Sequence, residues 1–416
     1  MKEIYLLLSL LFLQGRAQVN FTPLNVPTSQ TLRGIHFSDS LTGYSCGDNG
    51  NIVKTMDGGS SWISLTSNTT DDLWDVKTIP GTSGLGAIIV GDNNTVLKTT
   101  DGGTNWSSLS IPFQSGSFVF GVQCLDSLTY FACGGDYATF SGAILKTTNG
   151  GNTWTKNAVS GTFFLDKIFM QSNSKGFAVG TNNSFSNGSI RKTVNNAGWT
   201  TAKTSGSLIT NVWCPSGTVA VAVGLQGQIW KSSDDGGTWN STAVNQTDLY
   251  GIQFRDSVNG FICGGSTSES IIFSTNNAGD TWTANTTYTF TGALLSMSIV
   301  QNNIYMAGGL GTIIKARLPA PPTSTIATGI AKTKSFATVN IYGDVLNKRV
   351  IVKISDDILT TSLRLIITDE LGNSVITKAI TTGSSEISTN NFTPGIYYYQ
   401  LASSNYTYKT GKVLIY

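Results

Sequence analysis

Histidine is almost missing: His36 is the only one in 416 residues. A multi-His metal centre is therefore not expected, nor is a His-dependent triad, because His36 falls at a polar slot of a first strand, and no cofactor motif takes their place. Charged residues are scarce at 12%, about half the usual share of a soluble domain. With a net charge of +2 there is no clustered basic field, so nucleic acid is set aside as a partner. Helical spacing is lacking too. Past the N-terminus no apolar run approaches the length of a membrane-crossing helix, so no transmembrane segment is expected. Disulfide pairing is opposed by an odd count of five cysteines. Cys46, Cys133 and Cys263 each end an apolar run just before Gly-Asp or Gly-Gly, which places them in one slot of three repeats, as buried free thiols. Cys124 and Cys133 fall on neighbouring strands but out of direct opposition.

Glycine, serine, threonine and asparagine fill the space left by charge. Residues 1–17 combine Lys2, the apolar Ile4 to Leu13 and the small residues Gly15 and Ala17, the pattern of a secretory signal peptide cut before Gln18. After it, one polar turn recurs. Thr99-Thr100-Asp101-Gly102-Gly103-Thr104-Asn105-Trp106 has near-copies closing at Trp62, Trp154, Trp199, Trp239 and Trp282. A spacing of about 40 to 45 residues is that of four-stranded propeller blades. Within each period short apolar alternations are punctuated by Gly, Asn and Asp, which reads as a four-stranded antiparallel meander. In each turn the acid or amide, taken as Asp57, Asp101, Asn149, Asn196, Asp235 and Asn277, accepts backbone N–H bonds while glycine supplies positive φ. The seventh period, from Leu294 to Ala316, offers three strands and no turn motif. Val19 to Val26 resembles the missing fourth strand, with Phe21 in the tryptophan slot, so the ring is expected to close on the N-terminus.

These turns resemble the Asp-box, or bacterial neuraminidase repeat, and the longer pattern at residues 43–59 resembles propellers of the photosystem II stability/assembly factor type. The expected fold is all-β, a seven-bladed β-propeller over 18–317 followed by a small C-terminal β-sandwich. Residues 318–337 read as a Pro/Thr/Ser-rich linker. From 338 to 416, Leu363 to Asn373, Asn391 to Tyr399 and Lys409 to Leu414 resemble the C-terminal sorting domain of the type IX (Por) secretion system. The pattern departs at its start, where Tyr342 is followed by Gly343-Asp344-Val345 rather than the family's Tyr-Pro-Asn-Pro. The resemblance implies contact with the type IX machinery, transit through the periplasm, and release or attachment at the cell surface.

Sequence places two sets of candidate residues on the face opposite the Asp-boxes. Aligning the positions just before each first strand gives a ring of Arg33, Trp74, Phe120, Asp166, Thr210, Tyr250 and Leu295 around the channel mouth. Trp74, Phe120 and Tyr250 are read as stacking on a protein, peptide or glycan ligand while Arg33 takes an anion. Asp48, Asp92 and Asp136 follow second strands and Asp75 precedes a first strand. They would be the carboxylates of an alternative, a secreted glycoside hydrolase. Binding without catalysis is the leading expectation, because sialidase-type arginines are too few and the Asp-box is shared by enzymes and non-enzymes. The recurrent Lys54, Lys98, Lys146, Lys192, Lys231 and Lys315 are read as solvated strand positions.

Overall fold

The computed structural model describes residues 19–136, 139–182, 186–195, 198–285, 290–319, 339–344, 349–354, 363–369, 374–380, 383–390, 392–393, 395–402 and 407–415. The expected signal peptide and nearly all of the expected linker lie outside them. Contacts divide the chain between Pro321 and Pro322 into two units.

The first unit holds seven four-stranded antiparallel sheets. Their inner strands are Leu32–Phe37, Leu73–Thr78, Phe118–Cys124, Thr162–Ser172, Ile209–Trp213, Leu249–Phe254 and Leu294–Val300. Each inner strand packs against the next, and the last packs against the first, so the ring is closed. Closure uses the N-terminus. Thr22–Pro23 pairs with Ile313–Arg317 as the outer strand of blade 7, with Thr22 opposite Lys315. In blades 1 and 2 the residue after the tryptophan sits opposite the third-strand lysine in the same way, Ile63 on Lys54 and Ser107 on Lys98. Phe21 thus occupies the tryptophan slot and is buried with Met306 and Ile314.

The Asp-boxes of blades 1, 2, 3, 5 and 6 are closed hydrogen-bond units. In blade 2 the Thr99 hydroxyl donates to Asp101 (2.8 Å) and accepts from Gly103 N (2.9 Å), while Asn105 N donates to Asp101 (3.0 Å). Blade 5 corrects the sequence reading by one residue. Asp234, not Asp235, takes the bonds from Ser232 and Thr238, and Asp235 stands in the first glycine slot at φ 61°. The fourth box's Asn196 lies outside the described residues. Five box tryptophans sit beside a tyrosine or phenylalanine ring, for example Trp106 edge-on to Tyr44 at 6.3 Å.

The six third-strand lysines are buried or half-buried and bonded to the following blade, which overturns the reading of them as solvated strand positions. Lys54 Nζ donates to Gly102 O (2.8 Å), Lys98 to Gly150 O (2.7 Å) and Lys315 to Gly58 O (2.7 Å), each reaching the box of the following blade. Lys192 reaches Asp235 and Lys231 reaches Asp280 in the same sense, and Lys146 bonds Asn173 O (3.2 Å) in blade 4. Five of the six also lie over a tyrosine or phenylalanine ring. Blade 6 carries Ser274 at this position, and the blade that follows it has no box to hold.

The second unit is a pair of sheets, one of three strands and one of four. Val350, Val352 and Ile387 of the first share a core with Leu365, Ile367, Tyr399 and Val413 of the second, which makes a β-sandwich. Its strand Gly383–Ser388 was not anticipated, since Ser384-Ser385-Glu386-Ile387-Ser388 offers a single apolar side chain. All five cysteines are free thiols, and the register sets Cys124 opposite Tyr130 and Cys133 opposite Gly121.

Candidate functional site at the channel mouth

The seven aligned ring positions share one structural cause. Every inner strand carries a β-bulge at the aligned position, where the pairing skips Arg33, Trp74, Phe120, Asp166, Thr210, Tyr250 or Leu295, and the blade 4 strand also skips Phe163 and Gln171. They lie inside the strands rather than before them, a correction of position by one to a few residues. A bulge sets two residues against one and resets the in-and-out alternation. The burial order of Leu32–Phe37, Leu73–Thr78 and Leu249–Phe254 is accordingly buried, half-buried, buried, buried, half-buried, buried. All seven aligned residues are half-buried. Because the box turns follow third strands, at the opposite end from these bulges, the ring and the boxes occupy opposite faces.

The structure joins three of the four expected binding residues. The Arg33 guanidinium lies 4.1 Å from the Trp74 ring, and Trp74 meets Phe120 edge-on at 5.1 Å. Phe120 stacks on Phe118 at 5.6 Å and meets Phe164 at 5.5 Å. Phe164 contacts Phe163 at 4.2 Å, which reaches the exposed Phe140 at 5.7 Å. A continuous aromatic strip therefore runs over blades 2 to 4. Phe118, Phe140, Phe163 and Phe164 were missed in the sequence, although four phenylalanines beside a ring position are a readable signal. Tyr250 stands in blade 6, where its hydroxyl donates to Asp248 (3.3 Å).

Arg33 is not available for an anion as expected. Its guanidinium pairs with Asp48 and lies 3.8 Å from Asp72. Asp92 accepts the Trp74 indole N–H at 2.6 Å. Burial and the neighbouring Asp72 and Asp71 raise its pKa, against the pull of that hydrogen bond and of Arg33. Asp48 and Asp72 therefore flank the guanidinium, and Asp92 and Asp71 stand beside them in the same sector.

The four carboxylates of the hydrolase reading separate into two kinds. Asp75 is not on the face: it lies within the inner strand of blade 2, 2% exposed, between Lys77 (2.8 Å) and Lys167 (3.1 Å). Burial alone would raise it, but the two lysines outweigh burial and hold it at about 2. It also accepts Val122 N of blade 3 at 3.3 Å. Gln123 and Gln253 bond the backbone of the following blade in the same way, so Asp75 belongs to a set of latches between blades. His36, whose Nδ1 accepts Thr78 N (3.3 Å), is another. Burial and Lys77 drop its pKa to about 3, and Asp75 offsets this only in part. Asp136 ends a second strand, buried on Lys156. Asp48 and Asp92 remain at the mouth.

Asp166 differs from every other acid in this region. It makes no hydrogen bond or ion pair among the described residues, and burial lifts its pKa to about 7, with only Lys167 opposing. That lysine is already held by Asp75 and by Phe120 O (3.2 Å).

A closed ring of four-stranded sheets with an aromatic, acid-edged mouth defines a β-propeller, and the sandwich behind it is a separate unit. The comparisons place it more narrowly: residues 14–196 match the family described as photosynthesis system II assembly factor YCF48, and residues 340–416 match the secretion system C-terminal sorting domain. Residues 14–196 are thus similar to the YCF48 family and residues 340–416 to the sorting domain, and a tail of that kind indicates secretion or cell-surface export. Among solved structures it is similar to YCF48 bound to D1 peptide, at 17% identity and TM-score 0.58, covering 72% of this chain and 97% of that one. YCF48 from Cyanidioschyzon merolae follows at 18% and 0.57, covering 71% and 98%, and the WD40 propeller domain of Doa1 at 12% and 0.55, covering 73% and 97%. At such identities the likeness concerns the fold. No curated protein matches the chain in sequence. No helix among the described residues is long and apolar enough to cross a membrane.

Proposed function

We propose that this is a secreted or surface-attached binding propeller whose channel mouth holds a peptide segment of another protein. The observation that carries the reading is the strip from Trp74 through Phe120 and Phe164 to Phe140, half-buried at the mouth and exposed at its outer end. Aromatic surface left partly open at a concave mouth suits apolar side chains presented by a polypeptide. The similar structure of YCF48 bound to D1 peptide supports a peptide over a glycan as the occupant. Hydrolysis is less well supported, because Asp75 and Asp136 are buried on lysines and do not offer a free pair of carboxyls.

The test is binding of the full chain to arrays of peptides and of glycans, followed by Trp74→Ala on whatever binds. Loss of most of the affinity is expected. Unchanged affinity would remove the mouth as the site, and turnover of a glycan abolished by Asp92→Asn would replace binding with hydrolysis. Export is proposed to run through the signal peptide at 1–17, the periplasm and the type IX machinery. Deleting 340–416 is expected to leave the protein in the periplasm, and surface export of that truncation would reject the route.

A further inference from the structure

The charge at the mouth is the reverse of what an anion site requires. Arg33 is the one cation among Asp48, Asp71, Asp72 and Asp92, and two of these carboxyls are already on it. Asp71 is held by Asn93 (2.7 Å) and Thr95 (2.6 Å), and Asp72 accepts Asn49 N at 2.9 Å, so the crowd is fixed in place rather than dispersed in solvent. Three blades on, Asp166 occupies the corresponding bulge with no partner of its own. Between the two acidic sectors stand Trp74, Phe120 and Phe164.

A half-buried carboxyl with no partner of its own costs stability, and a fold keeps one most readily where a ligand completes it. Aromatic faces and carboxylates together are the surroundings that select a cation: the ring quadrupole and the charge act in the same direction, and desolvation strengthens both. An anionic sugar or an acidic side chain would be repelled by the Asp48–Asp72–Asp92 edge, and a neutral ligand would gain hydrogen bonds there but no charge pairing with Asp166.

Resting on the peptide-binding reading above, we propose that the mouth selects a basic side chain: a lysine ammonium or arginine guanidinium of the bound peptide, seated by Trp74, Phe120 and Phe164 and neutralised by Asp166. The acidic edge around Arg33 then steers the peptide toward the mouth, an effect that salt screens.

Calorimetric titration of the full chain at pH 8 with capped pentapeptides of identical Gly-Phe-Xaa-Phe-Gly sequence, where Xaa is Lys, Arg, Gln or Glu, tests this. The Lys and Arg peptides are expected to bind about tenfold or more tighter than the Gln peptide, as for a desolvated charge pair, with the Glu peptide weakest. Asp166→Asn is expected to erase the preference for Lys over Gln and leave the Gln peptide unchanged. Asp72→Asn, at the exposed edge, is expected to lower Lys-peptide affinity about twofold and flatten its salt dependence. Equal binding of Lys and Gln peptides, tightest binding of the Glu peptide, no effect of Asp166→Asn, or no binding of either basic peptide would each overturn the proposal. If Trp74→Ala abolishes binding of every peptide while Asp166→Asn changes none, the mouth remains the site and only the selection of a cation fails.

Discussion

Asp166 is where a single residue departs most from what packing alone would choose. A carboxyl whose folded pKa is raised from 3.8 to about 7 contributes most to stability while protonated in both states, below about pH 4. That contribution is lost as pH rises toward and through 7. Asp166→Asn is therefore expected to match the parent at pH 4 and to melt at a higher temperature at pH 8. The gain is on the order of a few kcal/mol, since one pKa unit is worth about 1.36 kcal/mol. Thermal melts at the two pH values check it, and equal melting temperatures at pH 8 would show that the carboxyl is already satisfied. Single residues were only partly legible in the sequence. Trp74 and Phe120 could be placed by aligning repeats, because a bulge recurs at one position in every blade. The partners of Arg33 could not, because Asp72 reaches it from a different blade. Asp234 and Asp235 were indistinguishable in a run of two acids and two glycines until the Ser232 hydroxyl chose between them.

At the scale of the strand and the turn, the Asp-box is half of a joint between blades. The other half is the lysine of the preceding blade, which bonds a backbone carbonyl in the turn and lies over an aromatic ring. This explains why the lysine is absent from blade 6 and present in blade 7, whose neighbour across the closure carries the box of Asp57. Its alternation was visible in the sequence, but a strand position that looks solvated within one blade is covered by the next, and periodicity inside a blade carries no information about that. Lys98→Met should cost about 1–2 kcal/mol, the value of a charge-assisted hydrogen bond to a carbonyl left without a partner. Lys231→Met should cost under about 0.5 kcal/mol, because Asp280 is largely exposed. Urea unfolding of the two variants tests the difference, and equal losses would contradict the joint.

Across the whole molecule, the repeats and their one omission gave the architecture. A seventh period without a box and an N-terminus with Phe21 implied closure by the first residues of the propeller, and the pairing of Thr22 with Lys315 is that closure. Closure ties the last blade to the first residues of the propeller, with Thr22–Pro23 as its outer strand. It also sets the division of labour on which the functional account rests. One face is occupied by boxes and lysines bonded to each other, and the opposite face gathers the half-buried bulge residues, the aromatic strip and the unpaired carboxyl. The central claim is that the second face is the one that binds. Hydrogen exchange of the full chain with and without a bound peptide tests it most directly. The account predicts protection at residues 73–76, 118–123 and 163–167 with the box turns unchanged. Protection confined to the turns at 57–62 and 101–106 would contradict it.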